Sequence, residues 1–184
     1  TPNLSGFTGA VQVQFGEDAS KDERTSYALS ARYVSGPFAI GGAWQTMRSN
    51  EAPKPKNLTA GQAQNFGMLG VSYDAGFAKF FGQYGAFANK GFAGAASIDT
   101  RLYQVGAAVP VTKSGKLLAS YGQSKEESAT GGSTLDAKHA IFTLAYDHWL
   151  SKRTDVYAAY MLDDEKRSGF KKGHTYTVGV RHAF

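Results

Sequence analysis

The sequence contains no cysteine, only 5 prolines and only 2 tryptophans in 184 residues. Without cysteine, neither a disulfide framework nor a thiolate metal site can form. No stretch approaches the roughly 20 consecutive apolar residues a membrane helix needs, so a helical span is excluded. Charge is also scarce: 19% of residues are charged, against about 25% in ordinary soluble domains. There is no initiator methionine and no cleavable leader pattern, so the chain is expected to be a mature product or a fragment.

What it does have is glycine (22), tyrosine (10) and phenylalanine (12), with aromatics at 13%. The length suffices for one domain with a real core. The formal net charge of +5 would suit a nucleic-acid binder or an anion-handling surface. No concentrated basic stripe interleaves with exposed aromatics, however, and nucleic acid is excluded as a partner.

Strand patterns recur from end to end, at 6–16, 25–34, 37–47, 64–74, 77–88, 99–112, 115–124, 137–150, 154–163 and 174–184. Period-2 alternation is clear in many of them. Phe7, Gly9, Val11, Val13 and Phe15 share one face, with Thr8, Ala10, Gln12 and Gln14 on the other. The connections alternate in length: SGP, DAG, TKSG and LSKR are tight, whereas those between are long, polar and glycine-rich. One trimmed rim and one elaborate rim are what bacterial outer-membrane barrels show, with short periplasmic turns and long extracellular loops. Phe7, Tyr33, Phe38, Tyr73, Phe77 and Trp149 sit beside the short turns and form the expected aromatic girdle at the membrane interface. The chain ends on TYTVGVRHAF. A terminal Phe184 would be a liability in water but is buried by lipid at a bilayer rim. The expected fold is therefore all-β, an antiparallel transmembrane β-barrel segment over 1–184, integral to the bacterial outer membrane.

At this point the residues resemble a family. LSKRTDVYAAY (150–160), the closing VGVRHAF (178–184) and the opening TPNLSGFTGAVQVQFG followed by TSYALSARY resemble the trimeric general porins of Gram-negative bacteria, Neisseria–Bordetella type. The resemblance implies a sixteen-stranded barrel, assembled as a homotrimer, through which small ions and hydrophilic solutes diffuse passively. It also implies that Phe184, with Tyr176, Val178 and Val180, is the signal read by the barrel-assembly machinery. TPNL aligns just after the family's sixth strand, so the chain corresponds to strands seven to sixteen. The pore-narrowing loop and most of its facing basic wall lie before that point, and no residue here inherits the constriction site. An autonomous ten-stranded outer-membrane barrel, with a narrow pore or a structural or adhesive role, is the alternative.

If the aromatic face meets lipid, alternation turns Gln12, Gln14, Arg32, Lys79, Gln83, Lys116, Asp147 and Arg181 towards the lumen. Four cations against one acid give a weakly positive wall with a modest anion preference, unless Arg32 and Arg181 pair with acids from the missing half of the barrel. Asp163, Asp164 and Glu165, placed at the base of a long loop, either bind a divalent cation or are solvated. Lys166, Arg167, Lys171 and Lys172 either contact lipopolysaccharide phosphates or form a plain charged loop. His139, His148, His174 and His182 have no metal-ligand spacing. ATGGST (129–134) lacks the lysine of a phosphate-binding loop, and NLT (57–59) is a coincidental sequon in a bacterial protein. No cofactor is expected.

Two rivals remain. A barrel enzyme would need a nucleophile–base pair, for which only Ser120 and His139 qualify; the expectation is that the chain is not an enzyme. A soluble ten-stranded clam would leave Val13, Leu29, Trp44, Val105 and Leu144 in an apolar band that aggregates in water.

Overall fold

A computed structural model describes residues 5–15, 25–49, 62–90, 98–128, 137–166 and 171–184. Their alternating β-branched and aromatic residues form ten strands. These are β1 (Phe7–Gln14), β2 (Ser26–Ser35), β3 (Phe38–Ser49), β4 (Gln62–Asp74), β5 (Lys79–Lys90), β6 (Ile98–Pro110), β7 (Gly115–Ser128), β8 (Ala137–Trp149), β9 (Thr154–Lys166) and β10 (Gly173–His182). Each pairs antiparallel with its neighbours in sequence, giving one ten-stranded meander.

The short turns lie at one end of the sheet, and their chemistry is local. Gly36 and Gly76 adopt φ values of 54° and 81°. The Gly76 N–H donates to Asp74 Oδ1 at 2.9 Å, an aspartate-nucleated turn. The β6–β7 and β8–β9 turns close on single carbonyls: Val111 and Thr112 donate to Gly115 O, and Leu150 and Ser151 donate to Thr154 O. Gly6 precedes β1 at φ +90°, and a Cβ there would lie 2.2 Å from the Val34 carbonyl oxygen; only glycine fits this approach. The last residues are held to the β8–β9 turn, where Arg153 Nε donates to Ala183 O at 2.9 Å and Ala183 N donates to Arg153 O at 2.8 Å.

The strand ends differ from expectation mainly at the long-loop rim. β7 runs to Ser128 and β9 to Lys166, because polar residues at this level continue the ladder above any apolar band. NLT (57–59) and ATGGST (129–134) lie outside the described residues.

Register sorts the side chains cleanly. Leu29 is opposite Val11 and Trp44; farther along, Val105 is opposite Tyr121, which is opposite Phe142, which is opposite Leu162. All these side chains share one face. Among the described residues Ala78 is the only buried hydrophobic side chain, whereas Leu29, Trp44, Val105 and Leu144 are exposed. A continuous apolar face of this extent is unstable in water and stable against hydrocarbon.

Exposure along that face also locates the sheet's edges. Tyr121 and Leu144, inside the sheet, are 37% and 39% exposed, but Val11 on β1 and Val178 on β10 are 82% and 83% exposed. Among the described residues β1 and β10 each pair on one side only. In hydrocarbon each unpaired peptide group costs several kcal/mol, so each edge requires a partner strand.

Gly179 faces Tyr157 across the β9–β10 ladder, and a Cβ at Gly179 would sit 2.5 Å from that ring. Gly179→Val in the full-length protein is expected to displace Tyr157 and destabilise the barrel by about 1–3 kcal/mol, the usual scale of overpacking. The midpoint of urea unfolding, followed by the mobility shift of the barrel in mild detergent, checks this. Nitroxides at Val105 and Gln104 are expected to report hydrocarbon and water respectively; equal wetting of the two would refute the assignment of faces.

Candidate functional site: the polar face and its rims

The face opposite the apolar band carries small and polar side chains. A hollow of about 960 Å³ runs along it, lined by Thr8 of β1, Arg32 of β2, Gly41 of β3, Gly70 of β4, Gln83 of β5, Gln104 of β6, Ser120 of β7 and Thr143 of β8, among others. One hollow can touch eight successive strands only if the sheet curls around this face. Small residues keep it open, and Gln83 Nε2 donates to Gln104 Oε1 across the strands at 2.6 Å.

Register places each residue expected to line the lumen on this curled face. Gln12 and Gln14 lie opposite Ala28 and Ser26, and Arg32 lies opposite Thr8 and Gly41. Lys79 is opposite Asp74, with its ammonium 5.6 Å from the Phe81 ring centre. Lys116 and Asp147 form an ion pair at 3.1 Å. Arg181 Nε donates to Asp155 Oδ1 at 2.9 Å.

Asp155 is the site residue that sequence reasoning missed. It is 2% exposed and was hidden inside a stretch read only as a turn motif. The signal was present in the hairpin register, since β9 and β10 place Asp155 opposite Arg181. Asp147 Oδ1 and Asp155 Oδ2 are buried without hydrogen-bond partners, so each carboxylate depends on its one cation. The positive wall read from sequence is accordingly offset: Lys116 and Arg181 are both neutralised by acids of adjoining strands. Among the described residues Arg32 and Lys79 have no carboxylate at ion-pair distance.

Two expectations fail on geometry. Trp149 is not on the lipid-facing girdle. Its register partner is Asp155, and the Arg181 guanidinium lies 5.7 Å over its ring; the odd spacing from His148 to Trp149 turns the indole to the polar side. The acidic run is not in a loop either. Asp163, Asp164 and Glu165 belong to β9 and therefore alternate between faces. Asp163 bonds His139 on the polar side, while Asp164 pairs with Lys172 at 3.4 Å on the other, so the three cannot converge on one cation. Arg167 lies outside the described residues.

The remaining girdle residues sit on the apolar side. Phe7 pairs with Tyr33 and Phe38 with Tyr73. Phe80, which sequence reasoning omitted, continues this row opposite Tyr73 and meets Phe77 edge-on at 6.3 Å. Tyr176, Val178 and Val180 face Tyr160, Ala158 and Val156, and Phe184 packs edge-on against His182 at 5.1 Å. Ser120 is opposite Thr143, whereas His139 is opposite Ser124. Four residues of register separate Ser120 from His139, roughly 13 Å along the strands, too far for a nucleophile and its base.

Comparison with known proteins gives a consistent picture. Residues 1–168 match the family described as Gram-negative porin. An outer membrane porin protein of Bordetella pertussis is 26% identical over all of this chain and 56% of its own length. Outer membrane porin protein 32 of Delftia acidovorans is 28% identical over all of this chain and 54% of its own. The chain thus spans about half the length of these relatives. Among solved structures, in-vitro folded OmpT, an outer membrane protein of Vibrio cholerae, superposes with a TM-score of 0.72 at 17% identity, covering 95% of this chain and 60% of its own. A refined porin structure gives 0.70 at 14%, covering 98% and 59%; at such identities these show the fold.

Arg181→Ala is expected to strand the Asp155 carboxylate and lower the urea midpoint of the full-length protein. The double variant Arg181→Ala/Asp155→Asn is expected to recover much of the loss, because it removes the orphaned charge. Equal midpoints for the single variant and the unaltered protein would contradict this.

Proposed function

The chain belongs to the Gram-negative porin family, and from that premise we propose that it forms part of an outer-membrane porin, a water-filled channel through which small hydrophilic solutes and ions diffuse passively. The observation that carries this is the two-sided sheet: a continuous apolar face on one side, and on the other a polar face curled around a hollow. The relatives' names and their outer-membrane location support the same reading. Further strands close the sheet between β10 and β1 into the sixteen-stranded barrel of the family. The two unpaired edges favour this over a self-contained ten-stranded barrel.

The pore is lined by Gln12, Gln14, Arg32, Lys79, Gln83, Lys116, Asp147 and Arg181, with Asp155 added. The protein assembles as a homotrimer; a trimeric outer-membrane structure of similar fold, the trimer form of Vibrio cholerae OmpT, supports this (TM-score 0.69, 16% identity, covering 95% of this chain and 64% of its own). Tyr176, Val178, Val180 and Phe184 present the assembly signal on the lipid-facing side of β10, and lipopolysaccharide surrounds the long-loop rim. Any anion preference in this part of the wall rests on Arg32 and Lys79, since Lys116 and Arg181 are paired.

Planar-bilayer recording of the refolded full-length protein is expected to show steps of conductance proportional to salt concentration. Arg32→Glu is expected to move the reversal potential in a salt gradient towards cation selectivity, and Lys116→Gln/Asp147→Asn to leave it nearly unchanged. A barrel that inserts without conducting would end the channel proposal.

A further inference from the structure

The polar face is interrupted at one place. Phe66 of β4 is directly opposite Phe87 of β5, and their rings stack with centroids 4.3 Å apart and planes inclined by 26°. Gly70 lies opposite Gln83 in the same ladder. Phe66 and Gly70 are an even number of residues apart, as are Phe87 and Gln83, so alternation turns both rings to the side that Gln83 lines. Met68, midway between Phe66 and Gly70, shares that parity. So does Leu102 of β6, which is opposite Gly85 of β5.

Gly85 brings the four side chains together. It lies opposite both Met68 and Leu102 and is itself buried. A Cβ there would stand 3.2 Å from Leu102 Cδ1 and 3.4 Å from Phe66 Cε2, so glycine lets these side chains close over the backbone. The result is an apolar patch across β4, β5 and β6. It stays open on its outer side: Met68 is 38% exposed, and Phe66, Phe87 and Leu102 are only half-buried. Water against such a patch is short of hydrogen-bond partners, and exposed apolar patches mark contact sites.

Towards the short turns the chemistry changes. Met68 and Arg32 line the same hollow, and Gln83 and Gln104, hydrogen-bonded to each other, line it too. Arg32 is opposite Gly41, and Gly41 is opposite Gly70. Arg32 therefore stands two strands across and two residues along from Met68, roughly 12 Å between Cα atoms. The small residues Gly41, Ala43 and Gly70 keep the way between them clear. Among the described residues Arg32 has no carboxylate at ion-pair distance. A ligand suited to this arrangement has a flat apolar ring for the patch and an anionic group for the guanidinium.

We propose that the patch and Arg32 together form a binding subsite for small aromatic carboxylates, the ring against Phe66, Phe87, Met68 and Leu102 and the carboxylate on the Arg32 guanidinium. The proposal deepens the porin reading, on which the orientation of this face towards the lumen rests. A carboxylate accepts charge-assisted hydrogen bonds from a guanidinium, often two at once. The ring makes offset or edge-on contacts with the phenylalanines and a sulfur contact with Met68. An aliphatic acid would satisfy Arg32 but leave the patch wet, and a neutral ring would cover the patch but leave the cation unmatched. Both halves of the solute are needed. Such binding enriches the solute in the passage and is weak enough for it to leave again.

The test uses the full-length protein in mild detergent, with binding of a fluorinated cinnamate followed by fluorine NMR line broadening. Unlabelled cinnamate, acetate and cinnamyl alcohol are the competitors. Cinnamate is expected to displace the probe at about tenfold lower concentration than either of the others, each of which lacks one half of the contacts. Phe66→Thr/Phe87→Thr is expected to weaken binding about tenfold through the lost ring contacts, and Arg32→Gln by a similar factor through the lost charge-assisted bonds. Leu102→Thr, a milder change in the same patch, is expected to weaken it about threefold and carries the test where the double variant does not fold. Unchanged affinity in the aromatic or the Arg32 variant, or equal competition by acetate, would overturn the proposal. So would a lack of cinnamate binding, the result expected if another part of the protein covers the patch. Conductance recorded on the same samples separates the two ideas. Binding that depends on Phe66 and Phe87 in a barrel that does not conduct would refute the channel and leave the subsite standing. Normal conductance without such binding would do the reverse.

Discussion

In hydrocarbon a peptide group has no water to bond, so every strand crossing a bilayer must have a partner on each side. That constraint governs this molecule more than any side-chain contact does. It requires ten strands joined without interruption from β1 to β10, and it leaves the edges of β1 and β10 each in need of a partner. It also explains why no buried core is needed. Among the described residues Ala78 is the only buried apolar side chain, since the bilayer does from outside what a core does from within.

Once pairing is obligatory, the period of two along each strand assigns every residue to lipid or to lumen. Adjacent residues then serve opposite surroundings. In β8, Lys138 looks outward while His139 looks inward to Asp163; in β9, Asp164 faces Lys172 outward while Asp163 and Glu165 face inward. Charge at the long-loop rim is thus divided between the faces, with a cationic row beside Glu127 and Asp164 outside and Asp163 and Glu165 inside. Such sorting is invisible to a net charge of +5, which averages the two faces.

This accounts for what could be read in the sequence and what could not. Strand number, meander order and the short-turn rim follow from alternation and from turn residues such as Gly36 and Gly76, and they were legible. Parity inside a strand was legible too, so Arg32, Lys79, Lys116 and Arg181 fall on one face as expected. Cross-strand partners were not, because they depend on register between segments. Hence Asp155 went unseen as the partner of Arg181, Phe80 was left out of the aromatic row, and Ser120 and His139 were paired only on paper. Parity also fails where a strand's end is misplaced. Trp149 was grouped with the rim aromatics by its nearness to a turn, and Asp163, Asp164 and Glu165 were assigned to a loop that β9 in fact occupies.

Because a slip of one residue would turn a strand's inward-facing charges towards lipid, register must be protected more strongly than in a soluble sheet. The devices are concentrated where the last strand joins the sheet. Tyr157 lies over Gly179, a fit that works at one register only. Asp155, almost fully buried, accepts from Arg181, and Arg153 binds the backbone of Ala183. Thr154 hydrogen-bonds His182 at 2.8 Å. A displaced β10 would lose all four together and would leave the Asp155 carboxylate buried without its cation. Those contacts cluster towards the short-turn end of the strand, and farther along its outward side Tyr176, Val178 and Val180 stay free of them. The strand is therefore fixed in register by Arg181 and Gly179 on its inward face and by His182 and Ala183 at its end, and still offers Tyr176, Val178 and Val180 outward, a division of labour that the period of two makes possible within ten residues.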